Sequence, residues 1–198
     1  MRDERLDRWL GELVSTPGLT AVSDPAAARR LHLDDALAAA PLLEDGPVVD
    51  VGSGGGSPGI PLAAARPELR FDLLESVRKK CDFLGRWAAR FENVSVICDR
   101  AEDHARGAGR DAYGTSVARA LAPPAVAAEW CLPLLRAGGR AVLFVGPSAD
   151  FDVVAKAARE VAGELEEAAA GFVLLRKTGP TPDRFPRRPG VARKRPLA

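Results

Sequence analysis

Between residues 48 and 65 the chain reads VVDVGSGGGSPGIPLAAA, with five glycines and two prolines separating a strand-like run from a helix-like one. Glycine accepts positive φ and lets another group touch bare backbone. Pro58 suits the first turn of a helix, where its missing N–H costs nothing. The free N–H groups of such a turn favour a ligand carrying negative charge or oxygen acceptors. A glycine-rich turn can serve tight packing alone, but strand, turn and helix in this register favour a binding loop.

The rest of the chain supplies the frame. An amphipathic helix over 3–14 places Leu6, Leu10 and Leu13 on one face, TPGLTAVSDP breaks it, and a second helix runs from about Pro25 to Ala40. Six β-rich runs follow, PVVDVG, LRFDLLE, VSVICD, TSVARA, RAVLFVG and GFVLLRK, with helical stretches near 59–66, 77–91, 101–108, 123–136 and 150–163. This alternation predicts an α/β fold, a doubly wound and mostly parallel sheet, with right-handed crossovers and a ligand at the carboxyl ends of the strands. The expected organisation is an N-terminal helical extension (1–40), a binding domain (41–178) and a basic Pro/Arg-rich tail (179–198), too rich in Pro and Arg to be a core element.

Charge is unevenly placed. From Arg176 onward there are eight basic residues and one acid, leaving 20 basic and 26 acidic upstream, so a negative body precedes a positive tail. Such asymmetry points to a polyanionic partner. Cys81, Cys98 and Cys131 form neither a CxxC pair nor a metal-ligand cluster with His32 or His104, and are expected to be reduced thiols. The N-terminus lacks the apolar core of a signal peptide and the longest apolar run is too short to span a bilayer. The chain is therefore expected to be cytoplasmic, with no membrane, no metal and a monomeric state.

Residues 54–59 satisfy G-x-G-x-x-G, and Glu75 closes the second strand where a dinucleotide fold places its ribose-binding acid. A nicotinamide-dependent oxidoreductase is thus one alternative. Asp50, two residues before the first glycine, shifts the balance: D-x-G-x-G-x-G with an acid in the strand is similar to motif I of S-adenosylmethionine (SAM) methyltransferases. In them the loop cups the amino-acid end of SAM, and Glu75 would then chelate the ribose hydroxyls.

The stretch DVGSGGGSPGIPLA resembles the signature of the RsmG family, also called glucose-inhibited division protein B, and Pro58-Gly59-Ile60-Pro61 is its telling part. HLDDAL (32–37), LLESVRKKCDFL (73–84), RAED (100–103), ARALAPP (118–124), CLPLLRAGG (131–139) and PRRPGVARKRPL (186–197) recur in the family's order. The resemblance implies a class I, Rossmann-like methyltransferase that uses SAM to methylate N7 of one guanine in the 16S ribosomal RNA of the small subunit. It implies SAM contacts at Asp50, Gly52, Gly54, Ser57, Glu75, Ala101, Glu102 and Arg119, with Arg119 and Arg100 at the reacting edge. Ser57, Val145 and Gly171 depart from residues usual in the family, which are Phe or Leu, Lys, and Arg.

The chemistry agrees on separate grounds. Guanine N7 carries a lone pair and no proton, so in-line placement matters and no general base is required. The sequence offers none: Ala122-Pro123-Pro124-Ala125 lacks the polar acceptor and aromatic ring used on exocyclic amines. Cys81 and Cys131 lie on predicted helices and read as buried small hydrophobes rather than nucleophiles. His104 reads as a helix-surface residue. His32, beside Asp34 and Asp35, reads as part of a capped or solvent-facing helix rather than a metal site. A small-molecule methyltransferase would leave the basic tail unexplained, and a non-catalytic RNA-binding protein would not need both Asp50 and Glu75.

Overall fold

Strand runs without polar alternation need cover on both faces, and four of them are almost entirely buried. In the computed structural model, which describes residues 3–169 and 171–198, these are β1 (Val48–Val51), β2 (Phe71–Glu75), β4 (Tyr113–Arg119) and the inner part of β5 (Leu135–Phe144). With β3 (Val94–Cys98), β6 (Gly163–Ala169) and β7 (Phe172–Lys177) they form one sheet of order β3-β2-β1-β4-β5-β7-β6. β1 to β5 pair in parallel, and β7 is antiparallel to both β5 and β6. Strand order reverses at β1, so the ends of β1 and β4 form the switch point where such sheets bind ligands.

α1 (Glu4–Ser15) buries Leu6, Trp9, Leu10 and Leu13, the stripe of a 3.6-residue period, and Asp3 caps it by accepting from Arg5 N–H. The single helix expected over 25–40 is instead four pieces. α2 (Pro25–Arg29), capped by Asp24, runs into a π-helical turn (Arg30–Asp34), then α3 (Asp35–Leu37) and a 3-10 turn (Ala40–Leu42). The crossover helices α4 (Gly59–Ala65), α5 (Arg78–Ala88), α6 (Ala101–His104), α7 (Pro124–Cys131) and α8 (Phe151–Glu160) fall where strand–helix alternation predicts them. α1, α4 and α5 cover one face of the sheet through Trp9, Leu13, Ile60, Leu84 and Trp87 against Leu73 of β2. α7 and α8 cover the other through Ala128, Cys131, Val154 and Ala158 against Val49, Val51 and Leu143.

Three expectations are corrected. β6 was absent from the expected strands because GELEEAA has no β-branched or aromatic residue. It forms on the edge of β7, where Glu166 is clamped by Arg140 (2.9 Å) and Arg176 (2.5 Å), and its charges suit an edge strand. The C-terminal segment is no free tail. Phe185 and Ala192 are buried, and α9 (Val191–Lys194) packs on α7 through Val126 and Trp130. Body arginines hold its carbonyls, Arg110 on Thr181 and Phe185 (2.7 Å each) and Arg106 on Pro186 (3.2 Å), and Arg187 forms a bidentate pair with buried Glu129. Backbone acceptors, which composition hides, do the docking. Cys81 and Cys98 are joined in a disulfide with their Cα atoms 5.8 Å apart. Cys98 is the register partner of Glu75, and the turn after β2 brings the first helical turn of α5 over it. A separation of 17 residues in sequence gives no hint of that meeting.

Candidate active site

Behind the ends of β1, β2 and β3 lies a cavity of about 350 Å³, within the usual range for small-molecule sites. Gly52, Glu75, Arg100, Ala101, Glu102 and Leu121 line it, together with Trp130 and Arg193. Five of the nine sequence-predicted site residues, Gly52, Glu75, Arg100, Ala101 and Glu102, therefore converge, although they come from the ends of three separate strands.

The glycine loop divides its glycines between two tasks. Gly52 and Gly54 hold positive φ (71° and 58°). A Cβ on Gly54 would meet nothing nearer than the Gly52 carbonyl at 3.9 Å, so this backbone faces open space. Gly52, Gly55 and Gly56 face protein instead, a Cβ on Gly52 colliding with Leu121. A Cβ on Gly55 would collide with Leu13, one on Gly56 with Ile60, and the Trp9 indole N–H donates to the Gly55 carbonyl (2.9 Å). The loop is bare both for a ligand and for the N-terminal helix that braces it.

Glu75 ties the loop to the neighbouring turn. Its Oε2 accepts from Gly54 N–H (2.9 Å), and its Oε1 accepts from Ser76 and Val77 N–H (2.8 Å each). A carboxylate has about four lone-pair sites, so the one left free lies on Oε2. Asp50 is buried behind the loop. Its Oδ2 accepts from Gly59 N–H (3.0 Å) while Oδ1 has no partner among the described residues, and burial pushes its pKa up to about 7. An orphaned buried carboxylate oxygen is costly and suits a cationic ligand group. Glu102 is buried too. Burial works against its ionised form, yet hydrogen bonds from Gly190 N–H (3.0 Å) and Arg100 (3.4 Å) carry its pKa below the ordinary value. The Trp130 indole N–H also lacks a partner at this cavity wall.

Arg119, Ser57, Asp50 and Gly54 do not line this first cavity. The Ser57 hydroxyl donates to the His32 carbonyl (3.0 Å), which ties the loop to the π-helical turn rather than to a ligand. Arg119 lines a second cavity of about 540 Å³ with Asp35, Phe144 and Phe172. Ala120 borders both cavities and holds φ 51°, a left-handed conformation that a non-glycine residue adopts at a cost and that recurs at functional sites.

His32 is buried and not solvent-facing. Its Nδ1 lies 2.7 Å from Arg119 Nη2 and its Nε2 lies 2.9 Å from the Thr20 hydroxyl. A guanidinium only donates, so Nδ1 accepts and Nε2–H donates to Thr20. Burial first, and then the Arg119 charge, lower the His32 pKa to about 4, which keeps the ring neutral at pH 7. Arg119 also donates to the Leu31 carbonyl, which the π-helical turn presents to it. Burial pulls the Arg119 pKa down, with Asp50 and Asp35 opposing. Two of its five N–H donors are thus occupied and three remain for the second cavity. His104 is half-buried on the Tyr113 hydroxyl (2.8 Å), not a surface residue. Cys131 is buried with its thiol pushed up to about 12 by burial, which excludes a thiolate nucleophile there.

Three contributors escaped the sequence. Trp130 sits beside Glu129 on a helix that otherwise reads as apolar cover, Arg193 belongs to a segment read as free tail, and His32, though it opens the HLDDAL motif, reads from sequence as part of a capped or solvent-facing helix.

The sheet order and switch-point cavity are those of class I SAM-dependent methyltransferases. A TehB-like SAM-dependent methyltransferase from Corynebacterium glutamicum superposes with TM-score 0.58 at 18% identity, covering 77% of this chain and 92% of that one. A 16S rRNA N2 G1207 methyltransferase from T. Thermophilus, solved with AdoMet and guanosine, gives 0.57 at 20% identity, covering 84% of this chain and 42% of its own. The profile of the rRNA small subunit methyltransferase G (GidB) family matches residues 4–174. Proteins of that name from Synechococcus elongatus and Pelotomaculum thermopropionicum are 38% and 41% identical, each over 90% of this chain and 82% of the relative. The chain belongs to this family.

Proposed function

We propose that this protein transfers a methyl group from S-adenosylmethionine to N7 of a guanine in the 16S RNA of the small ribosomal subunit. The observation that carries the reading is the meeting, at Ala120, of a glycine-loop cavity with a second cavity holding Arg119. Family membership supports the ribosomal RNA substrate.

The first cavity fits the cofactor. Asp50 lies buried behind the loop and not in the cavity wall, and its unpartnered Oδ1 is the acceptor we assign to the ammonium of the amino-acid end. Gly52 and Gly54 let that end approach the backbone, and Glu75 accepts one ribose hydroxyl at the free site of Oε2. Ala101 and Glu102 border the adenine side. Bound there, SAM supplies an electrophilic methyl group. No residue has to remove a proton before transfer, because N7 has none. The work of the protein is alignment and exclusion of water. Arg119, held by His32 and Leu31, orients the acceptor from the second cavity, and exposed Arg100 meets the RNA backbone beside the first.

The reading is tested by incubating the protein and tritiated SAM with small subunits from cells lacking the gene, then mapping N7-methylguanine in the 16S RNA. One methylated guanine is expected. Labelling confined to protein, to another base, or to another position on guanine would refute it.

A further inference from the structure

We propose that the second cavity is a guanine-selective base pocket in which Asp35, on α3, reads the Watson–Crick edge. This rests on the functional reading above and extends it to a specificity-determining residue outside the SAM cavity.

The cavity walls suit a flat heteroaromatic ring. Phe144 at the end of β5 and Phe172 at the start of β7 meet edge-on, with centroids 4.9 Å apart. Leu31 and Ala38 add apolar surface from the N-terminal helices. Two charged groups of opposite kind line the same space: Arg119, which only donates, and Asp35, which only accepts when ionised. Asp35 is exposed and, among the described residues, has no hydrogen-bond partner, though Arg119 feels its charge.

A base matching this pair must carry donors on one edge and acceptors on the other. Guanine does: N1–H and the 2-amino group donate, while O6 and N7 accept. With Asp35 on N1–H and the 2-amino group, Arg119 reaches O6 and leaves the N7 lone pair free toward the Ala120 seam. Adenine inverts both matches, setting an acceptor N1 against the carboxylate and an amino donor against the guanidinium. Contact with the Watson–Crick edge requires the nucleotide to be unpaired and turned out of its stack, as for other enzymes acting on bases. N-terminal helices therefore do more than brace the glycine loop, since α3 supplies the residue that selects the base.

The test uses small subunits reconstituted around 16S RNA carrying guanine or, by splinted ligation, inosine at the methylated position. Inosine keeps N7 and O6 but lacks the 2-amino group. Single-turnover transfer by the wild type is expected to be about tenfold to a hundredfold slower on inosine. Asp35→Ala should slow guanine to the wild-type inosine rate or below it and erase the gap, with SAM affinity by calorimetry unchanged. A wild type indifferent to the 2-amino group, a gap that persists in Asp35→Ala, or a variant that loses SAM affinity would each overturn the proposal. Failure of the wild type to methylate N7 of the guanine substrate at all would instead remove the functional reading on which it rests.

Discussion

Replacing Glu75 with Gln changes one oxygen to an amide and removes a charge, with little change in volume. The wild-type carboxylate holds three backbone N–H groups, two on Oε1 and one on Oε2. The least costly orientation of Gln keeps its oxygen on Ser76 and Val77 and turns its NH2 toward Gly54, donor against donor. One hydrogen bond to a charged acceptor is lost and a partly buried N–H is orphaned, a cost of about 1–3 kcal/mol. For a chain of 198 residues that is a fall in Tm of about 3–10 °C. The same NH2 now faces the place proposed for a ribose hydroxyl, so SAM affinity loses about 1.5–3 kcal/mol, or roughly tenfold to a hundredfold. Differential scanning calorimetry reads the first number and isothermal titration the second. A Glu75→Gln protein with unchanged Tm and SAM affinity within threefold of wild type would show that this carboxylate neither holds the loop nor meets the ligand.

Other expectations follow from the same contacts. His32→Ala should lower the single-turnover rate by about tenfold to a hundredfold while leaving SAM affinity intact; His32→Gln, with an oxygen able to accept from Arg119, should recover part of it. Because burial raises the folded pKa of Asp50 to about 7, its contribution to stability is greatest below its unfolded value near 3.9 and falls as pH rises through 7. Pairing with an ammonium should reverse that shift, so SAM binding near pH 6 should release a proton, seen as a buffer-dependent enthalpy that Asp50→Asn abolishes. Arg187→Ala should cost about 3–5 kcal/mol in chemical denaturation, since it strands the Glu129 carboxylate. Neutralising the exposed Arg188, Lys194 and Arg195 should leave stability unchanged but make the salt dependence of RNA affinity shallower in filter binding; an unaltered slope would place the RNA elsewhere.

How far the sequence carries can be seen residue by residue. The parallel core was legible because strand runs, glycine loop and crossover helices each obey a local rule, and so was the convergence of Gly52, Glu75, Ala101 and Glu102, which all follow strand ends. β6 was not legible, since its stability comes from Glu166 meeting Arg140 and Arg176, contacts between residues far apart in the chain. The burial of His32 depends on a π-helical turn, which no periodicity in RLHLD announces. Ser57 was assigned to the ligand by position in a motif, yet its hydroxyl is engaged by that same turn. In each case the deciding partner is a backbone group or a distant side chain.

The charge asymmetry shows the difference most sharply. Counted along the chain, the tail is an excess of positive charge available to RNA. In the fold, Arg187 is neutralised by Glu129, Arg184 by Glu160, and Arg193 lies over the Trp130 ring at the wall of the first cavity. Gly190 N–H lands on Glu102, an acid of that same wall. The segment beginning near Thr181 therefore helps to wall the first cavity, the one proposed to hold SAM. Arg184, Arg188, Arg193, Lys194 and Arg195 all stay exposed, but Arg184 and Arg193 are engaged within the fold, which leaves Arg188, Lys194 and Arg195 as the exposed cations of the segment without a partner among the described residues. A substrate phosphate drawn to them would approach the acceptor side of a cavity that the same segment has helped to build, so RNA docking and cofactor retention share one structural element.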